Sequence, residues 1–147
     1  MSYTTELSDD CMGIHHVGKG AVSGAEILDA CRATTQLLQN TENFHYEFID
    51  FSEVTELEIS ADELNRIIAQ DFYAATFRPD AVVVIVAPRE EIFEMVKGWE
   101  QRVTGIGWQT HTARERAEAV RWLQEHYPDP AAHSVESRSP SDPPALA

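Results

Sequence analysis

The chain has 147 residues, 43% hydrophobic and 24% charged, which suits one globular domain that buries roughly two-thirds of its unfolded surface and needs no disulfide or metal to hold it. Acidic residues outnumber basic ones 25 to 11, for a formal net charge of −14, and such a surface repels phosphate backbones and anionic headgroups, excluding nucleic acid and membrane surfaces as expected partners. The opening MSYTTELSDD is polar and acidic, and no apolar run approaches the roughly 20 residues that span a bilayer, so a cytoplasmic protein without membrane insertion is expected.

Turn residues Ser8, Asp9 and Asp10 separate two pairable stretches between Tyr3 and Val22 and predict a β-hairpin. From Ala25 to Leu38, Ile27, Leu28, Cys31 and Leu38 keep helical spacing, and Ser23 with Glu26 forms a capping box at the start. HYEFIDF at 45–51 is aromatic and β-branched, which predicts a strand. Leu64, Ile67, Ile68, Phe72 and Ala75 then line one face of a second helix. AVVVIVA at 81–87 reads as a central strand covered on both faces. Pro88 ends it and is tolerated in the first turn of a third helix, marked by Ile92, Phe93, Val96, Trp99 and Val103. GIGWQTH predicts a short strand with Ile106, Trp108 and Thr110 on one side. Thr112 and Glu115 form a further capping box before a last helix carrying Ala119, Val120 and Leu123.

The order ββαβαβαβα predicts an α/β fold with a mostly parallel sheet, right-handed helical crossovers and the N-terminal hairpin as an antiparallel edge. The domain is expected to end at residue 127. Residues 128–147 hold five of the seven prolines and are expected to form a disordered Pro/Ser-rich tail. Cys11 and Cys31 lack CxxC spacing, and buried thiols are expected rather than a disulfide or redox pair.

In an open α/β sheet, ligands bind beyond the carboxyl ends of the strands. VGKGAVSG places Gly18, Gly20 and Gly24 before the first helix but has neither GxGxxG spacing nor a GK[ST] ending, so a flexible turn with Lys19 solvated is expected there. At the next strand end, Ser60 stands three residues before Glu63 as a helix cap. Asp62 and Glu63 already complement the helix dipole, with Glu56 and Glu58 just before, so an added phosphate would meet four carboxylates and no arginine. His15 and His16 are adjacent on a strand and face opposite ways, and neither His45 nor His111 has a partner at metal-ligand spacing. Ser23, Ser52 and Ser60 lack a nucleophile elbow, and Asp50, a formal candidate base, suits a strand-end carboxylate bonded to loop amides. No catalytic residue, metal site or cofactor is therefore expected. Trp99, Trp108, Trp122, Phe72, Phe77 and Phe93 suit a core, an apolar pocket or a self-association surface.

The pattern IDFSEVTELEISADEL, followed by AVVVIVAP, IFEMVKGWE and ARERAEAVRWLQ, resembles the SpoIIAA-like family of small bacterial proteins across most of residues 10–125. That family is related to the STAS domains of anti-sigma-factor antagonists and, more distantly, to the CRAL-TRIO (Sec14-like) lipid-binding fold. The resemblance implies a STAS-like sheet and a non-enzymatic role. In the antagonists a D-S-S-G-like loop carries the phosphorylated serine first; laid on this chain it falls at Glu58, Ile59, Ser60 and Ala61. Ile59 then stands at the acceptor position, and no phosphoserine switch is expected. Two readings follow. One is a regulatory or protein-interaction module, homodimers included, whose recognition loop is Glu56, Glu58, Ile59, Ser60 and Asp62. The other is a carrier or sensor of an apolar small molecule or lipid, with a pocket between sheet and helices marked by Phe72, Phe77, Phe93 and Trp99.

Overall fold

The computed structural model describes residues 2–9, 12–41 and 44–127; the segment 128–147 and Cys11 lie outside them. Tyr3–Leu7 (β1) pairs antiparallel with Gly13–Ser23 (β2), and the turn is tied by the Ser8 amide donating to the Gly13 carbonyl at 2.8 Å and the Gly13 amide donating to the Ser8 hydroxyl at 2.9 Å. There follow Gly24–Asn40 (α1), Tyr46–Glu58 (β3), Ala61–Ala75 (α2), Val82–Val86 (β4), Glu90–Arg102 (α3), Gln109–Ala113 (β5) and Arg116–His126 (α4). This is the predicted element order. The sheet runs β1-β2-β3-β4-β5 with every pair after the first parallel.

Strand order explains the layering. Each crossover from β2 to β5 steps the same way along the sheet, and crossovers of one hand then place their helices on one face. Val22, Phe51, Val54, Val83 and Ile85 pack there with Ile92 and Val96 of α3, while Ile14 packs with Leu38 of α1 and Ala74 of α2. The helix after β5 covers the opposite face, where Tyr46, Phe48, Val82, Val84 and Val86 meet Ala119, Val120 and Leu123. β4 is buried at all five residues, as expected of a doubly covered central strand.

Five local expectations need correction. VGKG is no turn; it lies inside β2, opposite two extra residues of β3. Between the pairs Val17↔Asp50 and Lys19↔Glu53, β3 carries two residues against one, and between Gly20↔Val54 and Ala21↔Glu56 it carries one against none. Gly20 absorbs this irregularity at φ +68°, and a Cβ on Gly18 would lie 2.6 Å from Val54 Cγ2. β3 consequently runs to Glu58, seven residues beyond the predicted strand end. GIGWQTH is mostly not a strand: Thr104–Ile106 is a 3-10 turn, Gly107 follows at φ +96°, and β5 begins only at Gln109. Thr112 caps nothing; it belongs to β5 and donates to Glu100 at 3.1 Å, while Glu115 stands at the N-cap of α4 without a side-chain cap bond. Pro88 precedes Arg89, the N-cap of α3, rather than entering the helix.

Candidate functional site

The helical stripes that build the core leave a gap between the sheet and α1, α2 and α3, a cleft of about 80 Å³. Ile27, Ala30 and Cys31 face it from α1 at helical spacing, and Leu64, Ile67 and Asp71 do so from α2. Met95, Val96 and Trp99 close it from α3, and Leu57 and Ile59 from the end of β3. Its walls are thus largely aliphatic. Its polar part comes from Tyr3 of β1, His16 of β2, Glu47 of β3 and Asp71 of α2.

Asp71 follows Ile67 by four residues and Leu64 by seven, so a carboxyl occupies the inward stripe of α2 and is only 8% exposed. The Trp99 indole donates to its Oδ2 at 2.7 Å, and no protein group among the described residues donates to Oδ1. Burial pushes this carboxyl up to about 8, the Trp99 bond opposes the shift, and the charge of Glu47 adds to it. His16, 3% exposed, lies between Glu47, whose Oε1 is 2.9 Å from Nε2, and Thr5, whose hydroxyl is 2.8 Å from Nδ1. The Tyr3 ring stacks on His16 with centroids 5.5 Å apart and planes 3° from parallel. Tyr3 is 7% exposed, yet its hydroxyl has no hydrogen-bond partner among the described residues. Burial, and then Cys31, Glu47 and Asp71, push that phenol well above its ordinary value. Burial followed by Asp71 and Glu47 does the same to the half-buried Cys31 thiol, so both stay protonated.

Of the pocket residues expected from sequence, the structure brings only Trp99 to the cleft. Phe72 points outward at 46% exposure, Phe77 packs beside Leu38 at the far end of α1, and Phe93 lies under the Arg114 guanidinium, 3.9 Å from its ring centroid. The anticipated recognition loop begins as strand: Glu56 and Glu58 pair in β3 with Ala21 and Ser23 of β2 and expose their side chains. A hydrogen bond with Glu56, and then its charge, raises the exposed Glu58 carboxyl. Ile59 turns into the cleft, Ser60 caps α2, and Asp62 is exposed and pairs with Arg66 at 3.0 Å. Asp50 accepts from the Ser52 amide at 2.9 Å and from Arg116 at 3.1 Å, and is hydrogen-bonded to no histidine among the described residues. Tyr3, His16, Glu47 and Asp71 were missed by sequence reasoning; Asp71 had left a signal, as a carboxylate on an otherwise apolar helical stripe.

Ser60 is held on both sides, its hydroxyl accepting from the Glu63 amide at 3.1 Å and its own amide donating to the Glu63 carboxylate at 2.9 Å. Ser60→Ala is expected to lower the unfolding free energy by about 1 kcal/mol in urea titration, and Ser60→Asp, which keeps an N-cap acceptor, to restore most of it.

No protein-family model and no curated protein matches this sequence. Among solved structures, the anti-sigma factor antagonist SpoIIAA in its unphosphorylated form superposes with a TM-score of 0.53 at 6% identity, over 83% of this chain and 97% of that one. An uncharacterised DUF3478-family protein with a SpoIIAA-like fold from Shewanella loihica PV-4 gives 0.54 at 15% identity, over 82% and 91%. The chain therefore has a SpoIIAA-like fold. No helix among the described residues is long and apolar enough to cross a membrane.

Proposed function

We propose that the chain is a non-enzymatic regulatory module that takes a small, largely apolar molecule into the cleft and signals its occupancy to a protein partner through the acidic end of β3. One observation carries this reading: along residues 56–60 the side chains alternate, Leu57 and Ile59 lining the cleft while Glu56, Glu58 and Ser60 face solvent. Filling the cleft would press on the inner side of a strand whose outer side is a charged surface. The SpoIIAA-like fold supports a regulatory role by analogy. The protonated Cys31 and Tyr3 are poor nucleophiles, which supports the absence of catalysis. A water needs roughly 10–15 Å³ of such space, so the cleft of about 80 Å³ suits a body of about six to ten heavy atoms rather than a lipid.

The test is an amide NMR titration of the whole chain with 2-phenylethanol, 2-phenylethylamine and 3-phenylpropionate. Saturable shifts at Leu57, Ile59 and Leu64 together with Glu56, Glu58 and Ser60 are expected from at least one of them. If none of the three saturates any cleft residue, the reading is wrong. For the partner surface, replacing Glu56 and Glu58 with lysine is expected to leave the unfolding free energy within about 0.5 kcal/mol. The same change is expected to weaken partner capture about tenfold or more; unchanged capture would remove the acidic strand end from the recognition surface.

A further inference from the structure

The polar end of the cleft carries two carboxyls, Glu47 and Asp71, and among the described residues no lysine or arginine lines it. Its imidazole, His16, is already committed to Glu47 and Thr5. A ligand carboxylate or phosphate entering there would meet like charge without a compensating cation, at a cost that the aliphatic walls would not offset. Among the described residues, the Tyr3 hydroxyl, on a side chain 7% exposed, and Oδ1 of Asp71, on one 8% exposed, have no hydrogen-bond partner. Both belong to residues that line the cavity, with the aromatic rings of Tyr3 and Trp99 beside them. Carboxyl groups and a phenol oxygen in a mainly apolar enclosure form an environment that selects a protonated amine. The formal charge of −14 draws cations toward the whole molecule.

From this geometry we infer that the cleft is a site for a small hydrophobic amine, its ammonium seated between Asp71, Glu47 and the Tyr3 hydroxyl and its hydrocarbon body against the aliphatic walls. The assignment rests on the cleft being a ligand site and names the ligand's chemistry. Binding is linked to a proton. The groups facing Asp71 are Tyr3 from β1, His16 from β2, Cys31 from α1, Glu47 from β3 and Trp99 from α3, and no lysine or arginine is among them to hold its carboxyl ionised. The ammonium supplies it, and the carboxyl releases its proton to water as the amine arrives. Amine affinity should therefore rise about tenfold per pH unit up to the carboxyl's own value near 8.

The test is isothermal titration of the full chain, near pH 8, with 2-phenylethylamine, 2-phenylethanol and 3-phenylpropionate, repeated on Asp71→Asn, whose amide keeps the shape of the carboxyl. The amine is expected to bind about tenfold or more tighter than the alcohol, with the carboxylate weakest. Asp71→Asn should cost the amine about tenfold or more and leave the alcohol unchanged. Equal binding of amine and alcohol, or an amine affinity indifferent to Asp71→Asn, would overturn the amine assignment while leaving the cleft a ligand site. If no compound binds, the assignment and the ligand-site reading fail together.

Discussion

Asp71→Asn is expected to stabilise the protein at neutral pH and to flatten the pH dependence of its stability. The carboxyl titrates near 3.8 when exposed and at about 8 in the fold, so between those values the native state holds a proton that the unfolded chain has released. Stability then falls as pH rises, by about 1.4 kcal/mol per unit for a single group. The stabilisation conferred by the protonated carboxyl is present in full below the unfolded value and is gone by pH 8, a loss of order 4 kcal/mol by neutrality. Asparagine carries no charge to desolvate, its oxygen can still accept from the Trp99 indole, and its amide can donate to the Tyr3 hydroxyl or Glu47. Urea unfolding of both proteins at several pH values should give similar stabilities near pH 4 and a variant more stable by several kcal/mol near pH 8. The comparison isolates Asp71, because Glu26 and Glu90, whose carboxyls hydrogen bonds from Ser2 and Arg114 hold low, contribute equally to both. Parallel profiles, or a variant less stable at every pH, would show that this carboxyl is ionised and paired in the native protein.

Phe48→Ala is expected to cost about 3–5 kcal/mol, the range for truncating a buried aromatic ring. Phe48 is 1% exposed and sits in the layer beneath α4 with Tyr46, Val84 and Leu123. The His15 ring lies 5.8 Å from it, and the Arg116 guanidinium caps it at 4.9 Å. Removing the ring opens a void that flanking strands cannot close without breaking the ladders to β2 and β4. The denaturation midpoint in urea should fall accordingly, and the folded fraction should keep its cleft, because Phe48 faces the other side of the sheet. A loss under about 1 kcal/mol would mean that the α4 layer is loosely packed.

Legibility in the sequence followed the regularity of the backbone. β4 is a run of five buried apolar residues, and the Ser23 and Ser60 capping boxes are local motifs whose partners lie three residues away, so both were readable. The end of β3 was not. Its inward residues Phe51, Val54 and Leu57, with Ile59 just after it, are spaced by three, three and two, because the extra residues opposite Gly18 and between the Gly20 and Ala21 pairs break the period of two by which strands are recognised. The start of β5 was misplaced where two glycines mark a turn: Gly107 is left-handed, and a Cβ there would come within 2.7 Å of the Pro79 carbonyl oxygen. Thr112 and Glu115 matched a capping motif that the strand overrode, since Thr112 is paired with Ile85.

The cleft shows a deeper limit. Tyr3, His16, Glu47 and Asp71 come from four elements and converge only through sheet register and helix placement. Aromatic type alone does not mark the cleft: Phe72 is exposed on α2, Phe93 packs against the core of the sheet and under Arg114 without reaching the cleft, and Trp99 of the same helix lines it. With β1 to β5 in sequential order, strand order never reverses, so the sheet has no switch-point crevice at its carboxyl end. The cleft lies instead between the sheet and the helices covering it.

The decisive measurement is a crystal structure of the full chain grown with 2-phenylethylamine near pH 8. The expected result is the amine inside the cleft, its nitrogen about 2.7–2.9 Å from Oδ1 of Asp71 and its phenyl ring against Leu57 and Ile67. An amine found only on the outer surface, or one seated in the cleft with its nitrogen at the mouth and away from Asp71, would contradict it.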